Sequence, residues 1–186
     1  EIKKNPLQNL LRVYVLANSS QDPAIADKAR KIFEQMEFSE DAEVMSQWER
    51  IKQYTMDELM IIYNRLNVTF DVYEFESMYR RKDIEGIISL MDNKKLIHRE
   101  EDGKQTVLVG DRKVSFIKSD NTTLYLTRDI AAFLSRWDKY EMDKTFYVVD
   151  NGQHDHFTAI KSVINQLELN GDEHISHVKF GRIRGM

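Results

Sequence analysis

The sequence predicts a mixed α/β protein with a helical first third, a small antiparallel β insertion and a parallel β-α-β-α-β segment at its end. All 7 glycines lie at or after Gly86 and both prolines lie near the start, which favours uninterrupted helices in the first third. Turn-type residues separate short strand-like segments in the middle of the chain. Strand-like and helix-like segments then alternate, which is typical of a parallel sheet with right-handed crossovers.

Residues 1–67 are predicted to form the helical part. Apolar residues recur there at helical spacing in three stretches, which indicates three amphipathic helices with one buried face each. Ser39 and Thr55 occupy positions that favour helix N-caps, because acidic residues follow each of them within one turn. The three apolar stretches are residues 7–14, 25–36 and 59–66.

Residues 68–121 are predicted to form a connecting strand, a helix and a β-meander insertion. Residues 68–72 alternate toward strand spacing, and residues 84–91 carry a helical apolar stripe. The three strands predicted for the meander are residues 96–99, 106–109 and 113–117.

Residues 122–186 are predicted to form the β-α-β-α-β half of a nucleotide-binding core. Both predicted helices carry one apolar stripe. The predicted strands are residues 123–126, 144–149 and 174–180, and the helices are residues 128–140 and 154–169.

The composition excludes several classes of protein. The chain has 27 basic and 31 acidic residues among 186, and this formal charge of −4 argues against binding nucleic acid through bulk charge alone. It has no cysteine, which excludes disulfides, thiolate nucleophiles and cysteine-based zinc sites. No apolar run approaches the roughly 18 residues of a membrane span, so no membrane association is expected.

The loop before the helix at residues 128–140 is the first candidate site. Ligands bind near the carboxyl ends of parallel strands, where this helix is predicted to begin. In one interpretation Thr127 caps the helix and Asp129 complements its positive end. In the other, Asp129 binds a cationic group such as a guanidinium, and Tyr125 supplies a hydroxyl and a ring wall to the same pocket.

The loop at residues 150–156 is the second candidate site. His154, Asp155 and His156 invite a metal interpretation, but their spacing fits no common zinc pattern, so no metal site is predicted. Gln153, a neutral donor and acceptor, fits ligand recognition better.

Several common signatures are absent from the sequence. It contains no G-x-G-x-x-G, no P-loop and no G-x-S-x-G, which disfavours dinucleotide oxidoreductases, P-loop kinases and serine hydrolases. The basic run at residues 80–82 is interpreted as a solvated helix start, with contact to nucleic acid as the alternative.

One block of sequence carries a specific resemblance. Residues 122–131, TTLYLTRDIA, resemble the T-[ST]-L-Y-x-T-R-D-[LIV]-A block of arginyl-tRNA synthetases, which are class I enzymes with a Rossmann-like catalytic core. Residues 70–77 and 138–148 resemble the family's F-D-x-Y-x-x-E-S and D-K-Y-x-x-D-x-x-x-Y-V blocks. Residues 153–157 and 177–186 resemble its Q-x-x-H-F and H-V-x-F-G-x-x-x-G-M blocks, in the same order.

The resemblance implies a set of binding residues. The family positions that match Tyr125, Asp129 and Gln153 contact the arginine substrate, in agreement with the pocket argued from charge. The segment from His177 runs beside the ATP site in the family. The nucleotide neighbours implied in this way are His156, His177, Val178, Phe180 and Gly181. Glu76 lies near the active site in the family without an assigned role, and no side chain is expected to act as a nucleophile.

The resemblance also implies which parts of the enzyme the sequence lacks. The family's two ATP-binding signatures, H-x-G-H and a K-M-S-K-S-type loop, are absent from the chain. Since the chain also begins without a methionine and stops inside a matching block, we expect a fragment of the central catalytic domain. In such enzymes positioning and charge stabilisation supply most of the catalysis, and the two absent signatures provide most of both. This fragment is therefore expected to be inactive alone.

The implied full-length protein is an arginine–tRNA ligase. It would activate L-arginine with ATP and Mg²⁺, transfer it to tRNA(Arg), and need no tightly bound cofactor. Residues 5–15 resemble the mitochondrial branch most, which implies a mitochondrial location, with the cytoplasm as the alternative. The alternative function is a non-catalytic nucleotide-fold module that binds a protein partner through its helical first third.

Overall fold

The computed structural model describes residues 5–38 and 41–181, apart from the side chains of Lys82 and Asp83. The chain divides into two compact units, residues 1–74 and residues 75–186. Across the described residues, every helix is too short or too polar to span a lipid bilayer. The three-part functional division, with boundaries after residues 67 and 121, stays a prediction.

The described part of the first unit is helical, as predicted. Its helices are α1 (Pro6–Ser19), α2 (Pro23–Phe38) and α3 (Ala42–Leu66). The carboxylate of Asp41 caps α3 by accepting hydrogen bonds from the backbone N–H groups of Glu43 and Val44. Since no glycine or proline interrupts residues 42–66, α3 extends far beyond the predicted stretch at residues 59–66.

Two predictions for the first unit are wrong and a third cannot be judged. Thr55 is not an N-cap but lies inside α3, where its hydroxyl donates to the carbonyl of Ile51 at 3.1 Å. Residues 68–72 form no strand, and Phe70 instead packs edge-on against Tyr63 of α3, with ring centroids 5.0 Å apart. The predicted cap Ser39 lies outside the described residues.

The second unit begins with two short 3₁₀ turns, a helix and the predicted antiparallel meander. The elements are the turns Glu76–Met78 and Arg81–Ile84, α4 (Glu85–Asn93), β1 (Ile97–Arg99), β2 (Gln105–Val109) and β3 (Arg112–Ile117). The strands are ordered β1-β2-β3, which confirms the meander. Gly110 has a φ of 59° between β2 and β3, a conformation that glycine adopts without a steric penalty.

The basic run at residues 80–82 is not a fully solvated helix start. Arg81 is 7% exposed, and its guanidinium lies 2.7 Å from the Glu85 carboxylate, one helical turn further on. Arg80 is half-buried. The Arg81–Glu85 ion pair therefore joins this basic run to the first residue of α4.

The last segment contains a parallel pair of strands. Its elements are α5 (Tyr125–Tyr140), β4 (Thr145–Asp150), a 3₁₀ turn (Asn151–Gln153), α6 (His154–Gln166), α7 (Gly171–His174) and β5 (Ile175–Phe180). β4 and β5 pair in parallel with Thr145 opposite Ile175, which confirms the parallel pairing of two of the three predicted strands. The predicted strand at residues 123–126 is wrong, since Thr123 forms only a single bridge to Ile117 and α5 begins at Tyr125.

The core of the second unit joins the meander to the parallel pair. Its least exposed large side chains include Phe116, Ile130, Phe133, Ile160 and Ile175. One face of the β4–β5 pair carries Tyr147, whose ring packs 4.8 Å from Phe157 of α6. The opposite face carries four exposed apolar side chains, those of Phe146, Val148, Val178 and Phe180.

Candidate functional site

The candidate site lies where the first two turns of α5 meet the first turn of α6. β4 ends at Asp150, and the carboxylate of Asp150 accepts a hydrogen bond from the backbone N–H of Gly152 at 2.8 Å. A Cβ at Gly152 would lie 2.9 Å from that carboxylate, so a larger residue there would displace the Asp150 side chain. The turn leads directly into His154 and α6. The second candidate loop is therefore a helix start at the carboxyl end of a parallel strand, as predicted.

Asp129 does not complement the end of α5, because the helix begins earlier than predicted. Leu124 occupies the N-cap position and Asp129 is the fifth helical residue. Thr127 is not a cap either, since its buried hydroxyl donates to the carbonyl of Phe116. The capping interpretation of this loop is wrong, and the ligand interpretation of Asp129 stays a prediction.

The carboxylate of Asp129 pairs with the imidazole of His156. Asp129 Oδ2 and His156 Nε2 are 2.6 Å apart, with 39% of the Asp129 side chain and 24% of the His156 side chain exposed. An ionised carboxylate only accepts hydrogen bonds, so Nε2 is the donor. Asp129 Oδ1 accepts no hydrogen bond from any residue in the described ranges. One oxygen of a partly exposed carboxylate is thus unengaged.

A neutral phenol and a cation lie beside this carboxylate. Burial raises the pKa of Tyr147, the nearby Arg136 charge opposes the rise, and the Asp129 charge reinforces it. Arg136 Nη2 donates to the Tyr147 hydroxyl at 3.2 Å, and the guanidinium carbon lies 5.6 Å from the centroid of the Tyr147 ring. The Tyr147 hydroxyl therefore stays protonated at neutral pH.

Tyr125 on α5 and Gln153 in the turn before α6 are both exposed. Tyr125 is the first residue of α5 and is 68% exposed, and it shares a helix face with Asp129 four residues later. Gln153 ends the 3₁₀ turn, three residues before His156. No hydrogen bond joins either side chain to Asp129 within the part of the chain that the structure describes. The arginine-contacting roles of the three residues stay predictions.

Three of the five residues expected beside a nucleotide lie on β5, where they face both sides of the parallel pair. His177 faces α6, where its Nε2 donates to the carbonyl of Val149 at 3.0 Å and its ring lies 4.6 Å from that of Phe157. On β5, Val178 is 43% exposed and Phe180 is 52% exposed. Gly181, which follows the strand, is also exposed. His156 pairs with Asp129 rather than with any of these residues. Their nucleotide contacts stay predictions.

Sequence reasoning missed Tyr147, Arg136 and the partner of Glu76. Arg136 follows Asp129 by seven residues, so helical periodicity alone places both on one face of α5. Glu76 lies 3.3 Å from Arg128, whose Nε also donates to the hydroxyl of Thr123 at 2.8 Å. Glu76 and Arg128 are far apart in sequence, and no local sequence pattern indicates that they pair.

The described residues hold no group of three or more His, Asp or Glu side chains placed to bind a metal ion. His154 and His156 of the second loop contact different partners. His156 turns to Asp129, whereas the ring of His154 stacks at 6.5 Å from that of His177.

Comparisons with known proteins agree with the resemblance. The family described as class I tRNA synthetases (R), catalytic domain, matches residues 1–186. The arginine–tRNA ligase of Encephalitozoon cuniculi is 38% identical over 189 residues, covering 100% of this chain and 33% of that protein. A probable mitochondrial arginine–tRNA ligase of Bos taurus is 36% identical over 193 residues, with the same coverage. The chain therefore spans about a third of the length of these relatives.

The fold is shared as well. The crystal structure of arginyl-tRNA synthetase from Plasmodium falciparum superposes with a TM-score of 0.68 at 25% identity, covering 76% of this chain and 25% of that one. The parallel pair with its helices is thus part of a class I synthetase core. Because the family match extends over the whole sequence, the chain belongs to the catalytic domains of the class I arginyl-tRNA synthetases.

Proposed function

We propose that this chain forms the arginine-binding part of an arginine–tRNA ligase. The observation that carries the proposal is the Asp129 carboxylate, which is partly exposed and has Oδ1 unengaged by the described residues. A guanidinium binds a carboxylate through two parallel hydrogen bonds, which gives both charge and shape selectivity. Tyr125 lies one helical turn before Asp129 on α5 and Gln153 lies three residues before His156, and the proposal assigns both side chains to the same pocket.

ATP with Mg²⁺ and tRNA(Arg) complete the proposed reaction. The attacking group is the carboxylate of arginine itself, so the chain needs to supply position and charge rather than a nucleophile. The arginines of α5 near the site are already engaged, Arg128 with Glu76 and Arg136 with Tyr147. With neither ATP-binding signature in the chain, the 186 residues alone are proposed to lack the activity.

The experiment is ATP–pyrophosphate exchange by the full-length protein that contains this chain, with arginine, lysine and citrulline compared. Citrulline has the shape of arginine without its charge, so it tests the carboxylate directly. Arginine-dependent exchange with cognate tRNA, and none with citrulline, supports the proposal. Equal exchange with lysine, or none with any of the three, contradicts it. The 186-residue chain, assayed in parallel, is expected to stay at the no-enzyme background.

A mitochondrial location is the second part of the proposal. It rests on the bovine relative, whose name includes that location, while the slightly more similar relative from Encephalitozoon cuniculi carries no such word. Imaging of the full-length protein fused to a fluorescent protein at its C-terminus tests it. Diffuse cytoplasmic signal would contradict this part without touching the ligase activity.

A further inference from the structure

The pairing of His156 with Asp129 assigns His156 to the arginine pocket rather than to the nucleotide. The two side chains come from different helices and meet at 2.6 Å. His156 is the third residue of α6, and its ring rests edge-on against that of Phe157 at 5.7 Å. The imidazole is therefore held by its own helix while it reaches the carboxylate on α5.

The hydrogen bond from the His156 imidazole fixes the orientation of the Asp129 carboxylate, which the backbone of α5 does not fix. The terminal torsion of an aspartate side chain is soft, so the carboxylate plane rotates unless a partner fixes it. A guanidinium fork requires that plane to be set, because both of its parallel hydrogen bonds lie in it. Since each carboxylate oxygen offers two lone pairs, the Nε2–H of His156 fixes Oδ2 and still leaves acceptor sites on both oxygens.

We propose that His156 is a positioning residue that fixes the plane of the Asp129 carboxylate for bidentate binding of the arginine guanidinium. The inference rests on the proposed function, in which Asp129 binds that guanidinium. His156 then acts through Asp129 and touches neither the guanidinium nor ATP.

Two substitutions at residue 156 test the donor. His156→Leu removes the hydrogen bond and keeps an apolar side chain, whereas His156→Gln retains an N–H donor near the position of Nε2. In the full-length ligase we expect His156→Leu to raise the KM for arginine about tenfold, the size of effect that follows loss of one charge-assisted hydrogen bond. The kcat and the KM for ATP should stay within about twofold. His156→Gln should recover most of the arginine affinity.

A matched control and a folding control accompany these variants. His98→Gln changes a half-buried histidine on β1, remote in sequence and absent from the site, and should leave all three constants unchanged. Thermal unfolding of each variant shows whether a lost activity reflects a lost fold. If His156→Leu does not fold, the arginine KM of His156→Gln against His156→Asn decides the question, because asparagine is too short to place its donor at Nε2.

A double-mutant cycle with Asp129→Asn separates this inference from the proposed function. If His156 acts through Asp129, His156→Leu adds less than twofold to the arginine KM once Asp129→Asn is present. A rise in the KM for ATP, an additive effect in the cycle, or an arginine KM unchanged in His156→Leu would each overturn the positioning role. If Asp129→Asn itself leaves arginine use unchanged, it is the proposed function that fails.

Discussion

Replacing Asp129 with asparagine tests the proposed guanidinium site with the smallest possible change. The substitution removes one negative charge and keeps the size and shape of the side chain. Because Asp129 is the fifth residue of α5, it does not cap the helix, and the substitution leaves the helix start at Leu124 and Tyr125 intact. Any loss of arginine use therefore reports on recognition.

The expected magnitude follows from the exposure of the carboxylate. Truncating one partner of a fully buried charge pair costs on the order of 2 to 5 kcal/mol, and a hydrogen bond to a charged group is worth about 1.5 to 3 kcal/mol. Because 39% of the Asp129 side chain is exposed, solvent screens part of the attraction and the lower values apply. We expect a loss of about 2 kcal/mol, which corresponds to roughly a thirtyfold weaker apparent affinity for arginine.

The assay is ATP–pyrophosphate exchange at several arginine concentrations, with the KM for ATP measured in the same preparation. Asp138→Asn is the matched control, since Asp138 is an exposed carboxylate on the same helix near its other end. Thermal unfolding should change little in either variant. An arginine KM for Asp129→Asn within twofold of the unmodified enzyme would refute the guanidinium site.

Three further predictions concern the second unit. Burial raises the pKa of Tyr147 above its ordinary value of 10.0. The contribution of the protonated Tyr147 hydroxyl to stability is therefore complete below pH 10 and is lost as the pH rises further. Tyr147→Phe should flatten this alkaline loss of stability when denaturant unfolding at pH 8 and at pH 11 is compared. Thr127→Val should lower the free energy of unfolding by about 1 to 2 kcal/mol, because the carbonyl of Phe116 loses its buried donor, and an unchanged denaturation midpoint would contradict that bond. In the 186-residue chain, Val148→Thr should reduce the binding of a hydrophobic dye to the exposed β4–β5 face that also carries Phe146. The free energy of unfolding should change by less than about 0.5 kcal/mol. Equal dye binding by the variant and the unmodified chain would show that the dye does not bind this face.

The sequence predicted the meander and the parallel pair well because local chemistry fixes both. Gly110 supplies the turn that the β2–β3 hairpin requires, and residues 145–150 and 175–180 carry dense β-forming side chains on either side of an amphipathic helix. Helix α6 was equally readable from its single apolar stripe.

The sequence did not predict the start of α5 correctly, because tertiary contacts with the preceding strand determine it. Residues 123–126 have the composition of a strand, yet only Thr123 pairs, with Ile117 at the end of β3. The chain then turns into α5, where the hydroxyl of Thr127 bonds to the carbonyl of Phe116 instead of capping the helix. A contact with the preceding strand thus overrides the local β propensity.

The same reasoning explains why Asp129 was predicted as a ligand residue and its pairing with His156 was not. Asp129 was predicted from its charge near a helix start and from the family block, whereas His156 lies 27 residues away and reaches it only because β4 and α6 return the chain to α5. A partly exposed pair of this kind contributes about 0 to 1 kcal/mol to folding. The orientation that the pair gives to the carboxylate should matter more to arginine than to stability. For that reason the arginine KM of the residue 156 variants, and not their melting temperature, is the measurement in which the pairing should be visible.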